Sequence, residues 1–422
     1  MDIIITPQNL TGTITAPVSK SSVHRLMICA ALADSPTVIR YSGAVSEDIT
    51  ATRRCLEGLG ASVTDVDGGV RVTPFDRNAP IPCDPLDCGE SGSTLRFLIP
   101  VAAALGGERR FILRGRLPER PLSPLKEELE RHGARIDLDG NILTVCGDGM
   151  VGGEFVIDGG VSSQFISGLL FALPLMNGGC VRVTGEIQSR PYIDMTVAAL
   201  YNYNIEVTEK DGAFSLSESS AHSPDSITAE GDWSGAAFYV CAGALSDEGI
   251  RIRGLDMRSL QGDKRCVDIV RQMGATVEEY PDGVLVRRGQ LHGTCVDATD
   301  IPDLVPVVAA LAAAAEGITT ITGTARLRLK ESDRIETTCR MIEAIGGNAT
   351  GDDDCITVTG GFGMPKSAVD SAGDHRIAMA AAILAIAAKS QITVNGADCV
   401  KKSYPSFWED YERLSGCTKG TF

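Results

Sequence analysis

One pattern recurs along the whole sequence, and this repeat limits what the chain can fold into. An Ala-rich apolar stretch that follows a Ser, Gly or other polar residue recurs roughly every 70 residues. It occupies residues 21–33, 93–105, 163–176, 234–245, 303–315 and 375–388. We expect these stretches to be core helices, and the fixed period indicates six related structural units.

A second periodic signal predicts hairpins. An Asp-Gly pair flanked by strand-like residues occurs in four copies, and an Asp triplet takes its place in a fifth. These turns are Asp67-Gly68, Asp139-Gly140, Asp211-Gly212, Asp282-Gly283 and Asp352-Asp353-Asp354. Each copy therefore predicts the order helix, strand, helix, strand and hairpin.

The sixth copy lacks room for its hairpin, since the sequence stops at Phe422. The strand-like residues of segment 3–16 are the natural candidate to complete it. We therefore predict two domains of three units each, one formed by residues 1–15 with 228–422 and the other by residues 16–227. The chain should cross between them near Ala16-Pro17 and within the polar stretch 218–225.

Composition excludes several classes of protein. The formal net charge of −16 disfavours a nucleic-acid partner, and no apolar run reaches the length of a membrane span. The 13 cysteines form no CxxC pair and have no histidine at ligand spacing, which argues against a zinc site and a disulfide framework. The N-terminus is predicted to be a strand and not a signal peptide. We expect a cytoplasmic protein with reduced thiols and no metal.

Polar residues cluster where the apolar helices are predicted to begin. Free backbone N–H groups at a helix N-terminus favour phosphates and carboxylates, so several such termini facing one cleft would bind anions. The residues concerned are Lys20, Ser21 and Arg25; Gly92; Ser162, Ser163 and Gln164; Asp303; and His375 and Arg376. A purely structural role in capping core helices is the alternative.

Three further segments carry candidate residues. The loops Glu119-Arg120-Pro121 and 188–192 contain prolines that could hold Arg120 or Ser189 towards a ligand, with an ordinary surface loop as the alternative. The run 326–334 is the densest cluster of charge. Its alternation predicts a strand whose end delivers Lys330, Glu331 and Arg334 together, where carboxylates and cations could support proton transfer and clamp anions.

Taken together, these motifs resemble the 5-enolpyruvylshikimate-3-phosphate (EPSP) synthase family of enolpyruvyl transferases from Lys20 to Lys402. The resemblance implies an inside-out α/β barrel fold with two similar domains, each of three βαβαββ units. It also implies that the enolpyruvyl group of phosphoenolpyruvate is transferred to the 5-hydroxyl of shikimate 3-phosphate by addition and elimination, without metal or cofactor. We expect a monomer with these two small-molecule substrates as its partners, in aromatic amino acid biosynthesis.

The same resemblance assigns residues to roles. Contacts to shikimate 3-phosphate are implied for Lys20, Ser21, Arg25, Ser162, Ser163, Gln164, Ser189, Tyr192, Asp303, Arg326 and Lys330. Contacts to phosphoenolpyruvate are implied for Lys20, Gly92, Arg120, Gln164, Arg334, Arg376 and Lys402. The implied catalytic residues are Asp303 near the 5-hydroxyl, Glu331 at the methylene carbon, and Lys20 and His375 as assistants.

The sequence departs from the common family pattern beside these sites. The loop that often contains GNAGT has Glu90, Ser91 and Ser93, whereas Arg326 and His24 stand where Asn is frequent. These changes bear on affinity more than on the type of reaction.

Two alternatives stay open. The first is UDP-N-acetylglucosamine enolpyruvyl transferase, a family that usually has a loop cysteine which residues 114–125 lack. The second is an inert repeat scaffold that binds phosphorylated ligands.

Overall fold

The computed structural model describes residues 1–76, 85–216, 222–361, 363–388 and 391–416. The chain divides into two compact units, Met1–Ser19 with Glu230–Phe422 (unit 1) and Lys20–Ala229 (unit 2). The sequence placed the crossings after residues 15 and 227, a few residues before these boundaries. Part of the predicted crossing at 218–225, residues 218–221, lies outside the described residues.

Unit 2 alternates helices and short strands. Its α-helices are Lys20–Leu32, Glu47–Gly58, Gly92–Leu105, Leu125–Arg131, Ser163–Ala172 and Arg190–Tyr201, with 3-10 turns at Leu117–Glu119 and Leu173–Met176. Its strands are Thr37–Arg40, Ser62–Val66, Gly69–Thr73, Leu86–Gly89, Glu108–Leu113, Arg135–Asp139, Ile142–Cys146, Gly153–Asp158, Gly179–Thr184, Val207–Lys210, Ala213–Leu216 and Ser226–Thr228.

The strands of unit 2 form four-stranded sheets that repeat one topology. In the second repeat, Leu86–Gly89 pairs parallel with Glu108–Leu113, which pairs antiparallel with the second strand of the hairpin. The register there places Phe111 opposite Leu143, and both side chains are buried. In the first repeat the parallel partner comes from the far end of the unit, since Ser226–Thr228 pairs with Thr37–Arg40. Three βαβαββ repeats therefore build this unit.

Unit 1 follows the same plan. Its α-helices are Trp233–Ala244, Cys266–Gln272, Val305–Ala313, Arg334–Ala344, His375–Ala387 and Phe407–Ser415, with 3-10 turns at Gly262–Arg265, Pro302–Leu304, Ala325–Leu329 and Ala397–Lys402. Its strands are Ile3–Ile5, Gly12–Thr15, Ile250–Arg253, Thr276–Tyr280, Gly283–Arg287, Cys295–Asp297, Ile318–Thr322, Asn348–Gly351, Cys355–Thr359, Val369–Asp370 and Ile392–Asn395.

The N-terminal segment completes unit 1, as the sequence predicted. Ile3–Ile5 pairs antiparallel with Ile392–Asn395 and supplies the strand that the sixth copy lacks. Gly12–Thr15 pairs parallel with Ile250–Arg253 and supplies the first strand of the fourth copy. The N-terminus is therefore built into two sheets.

The Ala-rich helices form the interior of each unit. In His375–Ala387 the alanines and the larger apolar residues are both buried, so no face of its first three turns meets water. In unit 1 this helix packs against Trp233–Ala244 and Val305–Ala313, because small side chains let helix backbones approach closely. The six predicted helices and the five predicted hairpins are confirmed. The fold class is α/β, in two similar units.

The predicted strand over 326–334 is wrong. The preceding strand ends at Thr322, and Gly323 follows in the left-handed region at φ 71°. The chain then forms the 3-10 turn Ala325–Leu329, in which Leu327 is buried whereas Leu329 is 46% exposed. The apolar residues of this run therefore do not share one face, as a strand would require.

Candidate active site

Lys20 is the first residue of its helix in unit 2 and is held by an acidic partner. Its Nζ donates to Asp48 Oδ2 at 2.8 Å, and the two side chains are only 16% and 14% exposed. Asp48 lies in the first turn of Glu47–Gly58, a helix that Ser46 caps through the backbone N–H of Ile49. The pair fixes the Lys20 ammonium at a helix N-terminus.

Arg25 is a buried cation whose hydrogen-bond partners, in the part of the chain that the structure describes, are all neutral. Its guanidinium donates to Thr196 Oγ1 at 2.9 Å and to the backbone oxygens of Ser21 and Tyr192 at 2.8 and 2.7 Å. It also lies over the ring of Phe97, 5.1 Å from the centroid. Burial lowers the pKa of Arg25 to about 10, which leaves it charged at neutral pH. A buried cation with this set of partners is suited to an anionic ligand.

Gly92 opens the equivalent helix of the second repeat and lies against two arginines. A Cβ atom at this position would lie 2.6 Å from Arg120 Nη1 and 2.8 Å from Arg96 Nη1. Arg96 donates to Gln164 Oε1 at 3.1 Å, and Gln164 Nε2 donates to Ser93 Oγ at 2.9 Å. The structure thus brings Gly92, Arg120 and Gln164 together. The absence of a side chain at Gly92 makes room for the guanidinium groups.

The serines of the third repeat lie at helix N-termini. Ser162 caps Ser163–Ala172 by accepting from the backbone N–H of Gln164 at 3.3 Å, and Ser163 is buried in the first turn. Ser189 occupies the N-cap position of Arg190–Tyr201 in the left-handed conformation at φ 58°, and it is 3% exposed. Tyr192 follows in that helix, and its carbonyl accepts from Arg25. The helix Arg190–Tyr201 packs against both Ser163–Ala172 and the helix that carries Arg25.

Arg334 is the centre of a charge cluster in unit 1. It is 1% exposed, and its guanidinium donates to Asp374 Oδ2 at 2.8 Å, Asp303 Oδ1 at 2.7 Å and Glu331 Oε2 at 2.6 Å. Burial lowers the pKa of Arg334, but the three carboxylates outweigh burial and hold it well above its ordinary value. One permanent cation therefore fixes the positions of three carboxylates.

Asp303 is ionised within this cluster. Arg376 Nη2 donates to its Oδ2 at 2.8 Å, and Lys330 Nζ lies 3.9 Å from its Oδ1. Burial raises the pKa of Asp303, but Arg376, Lys330 and Arg334 outweigh burial and hold it well below its ordinary value. Burial also lowers the pKa of Lys330 to about 8, against the opposite effect of Asp303. A carboxylate and a lysine with perturbed pKa values are thus adjacent, as at many sites of proton transfer.

The remaining predicted residues of unit 1 lie around this cluster. His375 is the first residue of its helix and is 2% exposed, with Nδ1 3.9 Å from Asp374 Oδ1. Lys402 Nζ donates at 2.8 Å to the carbonyl of Gly373, the residue before Asp374. Arg326 donates to the carbonyl of Thr299 at 3.0 Å. The unit 1 residues predicted from scattered motifs therefore lie in one region.

Sequence reasoning missed three residues that hold the others in place. Asp48 pairs with Lys20, Arg96 contacts Gln164, and Asp374 binds Arg334 while also capping its own helix through Arg376 N. Arg96 lies three residues after Ser93 and Asp374 lies directly before His375, but nothing in the spacing assigned either of them a partner. Asp48 lies two residues after Ser46, the cap of its helix, and nothing in the sequence marked it as a partner of Lys20.

One known protein family matches almost the whole chain. Residues 4–411 match the family described as EPSP synthase (3-phosphoshikimate 1-carboxyvinyltransferase). The chain belongs to the EPSP synthase family. A Clostridium perfringens protein named 3-phosphoshikimate 1-carboxyvinyltransferase is 38% identical over 99% of both chains, and one from Methanocorpusculum labreanum is 34% identical over 98% of both.

Solved structures show the same fold. An EPSP synthase from Acinetobacter baumannii superimposes with a TM-score of 0.80 at 25% identity, covering 98% of both chains. An enolpyruvyl transferase from Streptomyces tendae, 19% identical, superimposes with a TM-score of 0.75 over 98% of this chain and 97% of that one. The second likeness bears on the fold alone. Among the described residues, no helix combines the length and the apolar character that crossing a bilayer requires.

Proposed function

We propose that the chain transfers the 1-carboxyvinyl group of phosphoenolpyruvate to the 5-hydroxyl of shikimate 3-phosphate, with release of phosphate. One observation carries the proposal: relatives that bear the name of this activity match almost the full chain at up to 38% identity. The reaction belongs to the shikimate pathway of aromatic amino acid biosynthesis. The cations Arg25 and Arg120 in unit 2 and the cluster around Arg334 in unit 1 support the proposal, because both substrates are anions.

Shikimate 3-phosphate is assigned to the buried cation of unit 2 and to its neighbours. Because the hydrogen-bond partners of Arg25 among the described residues are all neutral, its charge favours a bound anion. The proposed contacts in unit 2 are Lys20, Ser21, Arg25, Ser162, Ser163, Gln164, Ser189 and Tyr192, and those in unit 1 are Asp303, Arg326 and Lys330. Helix N-termini at Ser163 and Arg190 add backbone donors suited to a phosphate.

The binding site that we propose for phosphoenolpyruvate consists of Arg120, Arg334 and Arg376 with their neighbours. Arg120 lies against Gly92 in unit 2, and Arg334 and Arg376 flank Asp303 in unit 1. Planar guanidinium groups bind carboxylate and phosphate oxygens with two parallel hydrogen bonds, which suits a substrate that carries both. The full proposed set is Lys20, Gly92, Arg120, Gln164, Arg334, Arg376 and Lys402.

The carboxylates support an addition and an elimination. In the addition, the 5-hydroxyl oxygen bonds to C2 of phosphoenolpyruvate, the hydroxyl proton leaves to Asp303, and Glu331 delivers a proton to the methylene carbon C3. In the elimination, the bond from C2 to the phosphate oxygen breaks and the phosphate leaves with the proton that Asp303 had taken up, while a proton leaves C3 to Glu331 and restores the double bond. Lys20 and His375 assist with the hydroxyl and the departing phosphate. Because Arg334 holds both carboxylates, it fixes the acid and the base relative to each other.

The experiment that tests the proposal is a product assay with three acceptors. Purified protein is mixed with phosphoenolpyruvate and either shikimate 3-phosphate, UDP-N-acetylglucosamine or no acceptor, and phosphate and enol ether are quantified. We expect equimolar phosphate and enol ether with shikimate 3-phosphate alone. Product with UDP-N-acetylglucosamine instead would favour the rival family, and no product with either would favour an inert binding scaffold.

We further propose that the enzyme acts as a cytoplasmic monomer. The eleven cysteines in the described part of the chain all carry free thiols, which supports a reducing compartment. Size-exclusion chromatography with light scattering should give the mass of one chain. A mass of two chains that persists on dilution would contradict a monomer.

A further inference from the structure

A buried polar chain lies behind the helix N-termini that carry Lys20 and Gly92. His24 Nδ1 lies 2.6 Å from Thr52 Oγ1, which lies 2.7 Å from Thr94 Oγ1, and Thr94 Oγ1 donates to Ser91 Oγ at 2.8 Å. All four side chains are at most 1% exposed. The chain joins three helices of unit 2, because His24, Thr52 and Thr94 belong to different ones.

This chain is coupled to the Lys20 pair by helix geometry. Lys20 and His24 are four residues apart on one helix, and Asp48 and Thr52 are four residues apart on the next, so both pairs occupy matching faces. Thr94 Oγ1 also lies 3.5 Å from the carbonyl oxygen of Asp48. The contact between Lys20 and Asp48 and the contact between His24 and Thr52 therefore join the same two helices, about one helical turn apart.

The imidazole of His24 is neutral. Burial, followed by the positive charges of Lys20 and Arg25, holds the pKa of His24 well below its ordinary value. A neutral imidazole donates from one nitrogen and accepts at the other. Nε2 is buried without a hydrogen-bond partner in the described structure, beside the ring of Phe97.

The unpartnered nitrogen selects the tautomer. A buried N–H without an acceptor is rarer in proteins than a buried acceptor without a donor, so the proton belongs on Nδ1. His24 then donates to Thr52, Thr52 donates to Thr94, and Thr94 donates to Ser91. Ser91 Oγ also accepts from the backbone N–H of Thr94 at 3.2 Å. Its own hydroxyl proton is left as a donor at the N-terminus of Gly92–Leu105.

We propose that His24 is a positioning residue that donates from Nδ1 and thereby orients the Thr52, Thr94 and Ser91 hydroxyls, so that Ser91 presents a donor for phosphoenolpyruvate beside Gly92. This inference rests on the proposed function, because it assigns Ser91 to the same substrate. Under this proposal, Ser91 and His24 determine specificity for phosphoenolpyruvate at positions where the family more commonly has other residues. His24 itself touches no substrate in this account.

The first test reads the tautomer without any substrate. Protein labelled with ¹⁵N-histidine gives two-bond proton–nitrogen correlations that distinguish Nδ1–H, Nε2–H and doubly protonated imidazole. The five histidines are separated by comparison with His24→Asn, whose spectrum lacks the His24 signals. At pH 7 we expect His24 to be neutral and protonated on Nδ1. An Nε2–H tautomer or a doubly protonated ring would overturn the inference, whatever the enzyme's substrates.

The second test separates positioning from folding. Thr52→Val and Ser91→Ala each break the chain at one hydroxyl, and we expect the KM for phosphoenolpyruvate to rise by roughly tenfold in each, the effect of one buried hydrogen bond. The KM for shikimate 3-phosphate should change by less than about twofold. His24→Leu should behave like Thr52→Val, whereas His24→Asn should recover most of the affinity, since an amide nitrogen can take the place of Nδ1.

The matched control is Thr37→Val. Thr37 is a fully buried threonine of unit 2 that lies in the strand Thr37–Arg40, outside the polar chain. It should leave both KM values unchanged. Unchanged KM values in Thr52→Val and Ser91→Ala, or equal changes in both KM values, would refute the positioning role. If His24→Leu fails to fold, Thr52→Val and Ser91→Ala still decide whether the positioning role holds. A wild type that gives no product would refute the proposed function and leave the tautomer test standing.

Discussion

Replacing Asp374 by Asn should destabilise unit 1 by about 3 kcal/mol. Asp374 is fully buried and accepts from Arg334 Nε at 2.8 Å, Ser332 Oγ at 3.0 Å and the backbone N–H of Arg376 at 3.0 Å. Asn keeps one oxygen but turns an amide donor towards groups that are themselves donors. Breaking a buried ion pair typically costs about 3–5 kcal/mol, and the lower end applies because Arg334 keeps two other carboxylates.

Tryptophan fluorescence measures this loss in unit 1 alone, because both tryptophans of the sequence, Trp233 and Trp408, belong to it. In urea the midpoint should fall by about 1 M or more. The control is Asp247→Asn, since Asp247 is 75% exposed and pairs with Arg288 at 3.2 Å. That change should stay below about 1 kcal/mol. A loss below about 1 kcal/mol for Asp374→Asn would refute the idea that Asp374 anchors Arg334.

Three further substitutions test the site. Glu331→Gln should lower kcat by roughly 10²–10⁴-fold while substrate binding stays measurable by calorimetry, and near-normal turnover would reject proton transfer by this residue. Burial lowers the pKa of Lys330 to about 8, so Lys330 is charged below that pH and neutral above it. We therefore expect kcat/KM for shikimate 3-phosphate to fall as the pH rises through about 8. In Lys330→Arg that fall should disappear, and an unchanged profile would exclude Lys330 as its source. Gly92→Ala should displace Arg120 and raise the KM for phosphoenolpyruvate by roughly tenfold, whereas an unaltered KM would show that Arg120 moves without loss.

The repeat made much of the fold predictable from sequence. Apolar helices and Asp-Gly turns depend on local patterns, and each recurs often enough to be recognised without knowledge of tertiary contacts. The same regularity predicted that the N-terminal segment completes the last copy, because a missing strand leaves an unpaired sheet edge. Ile3–Ile5 occupies that place.

The errors arose where local pattern and tertiary packing disagree. The alternating charges of 326–334 suit a strand, but Gly323 ends the strand earlier and the chain continues as a 3-10 turn. The residues were nevertheless assigned to the right region, because the turn delivers Lys330 and Glu331 beside Arg334.

Partner choice could not be read from the sequence. Asp48 pairs with Lys20, which lies 28 residues away along the chain, and Asp374 pairs with Arg334, which lies 40 residues away. No periodicity specifies such pairs, since they depend on how the helices pack. The polar chain that ends at His24 was invisible for the same reason.

The most direct test of the central claim follows one oxygen atom. Phosphoenolpyruvate labelled with ¹⁸O at the oxygen that bridges C2 and phosphorus is mixed with shikimate 3-phosphate and the wild-type protein. Transfer of the carboxyvinyl group breaks the bond between C2 and that oxygen, so all the label should leave in phosphate and none should remain in the enol ether. Label retained in pyruvate or in any other carbon product would mean that the phosphorus–oxygen bond breaks, and would contradict the account.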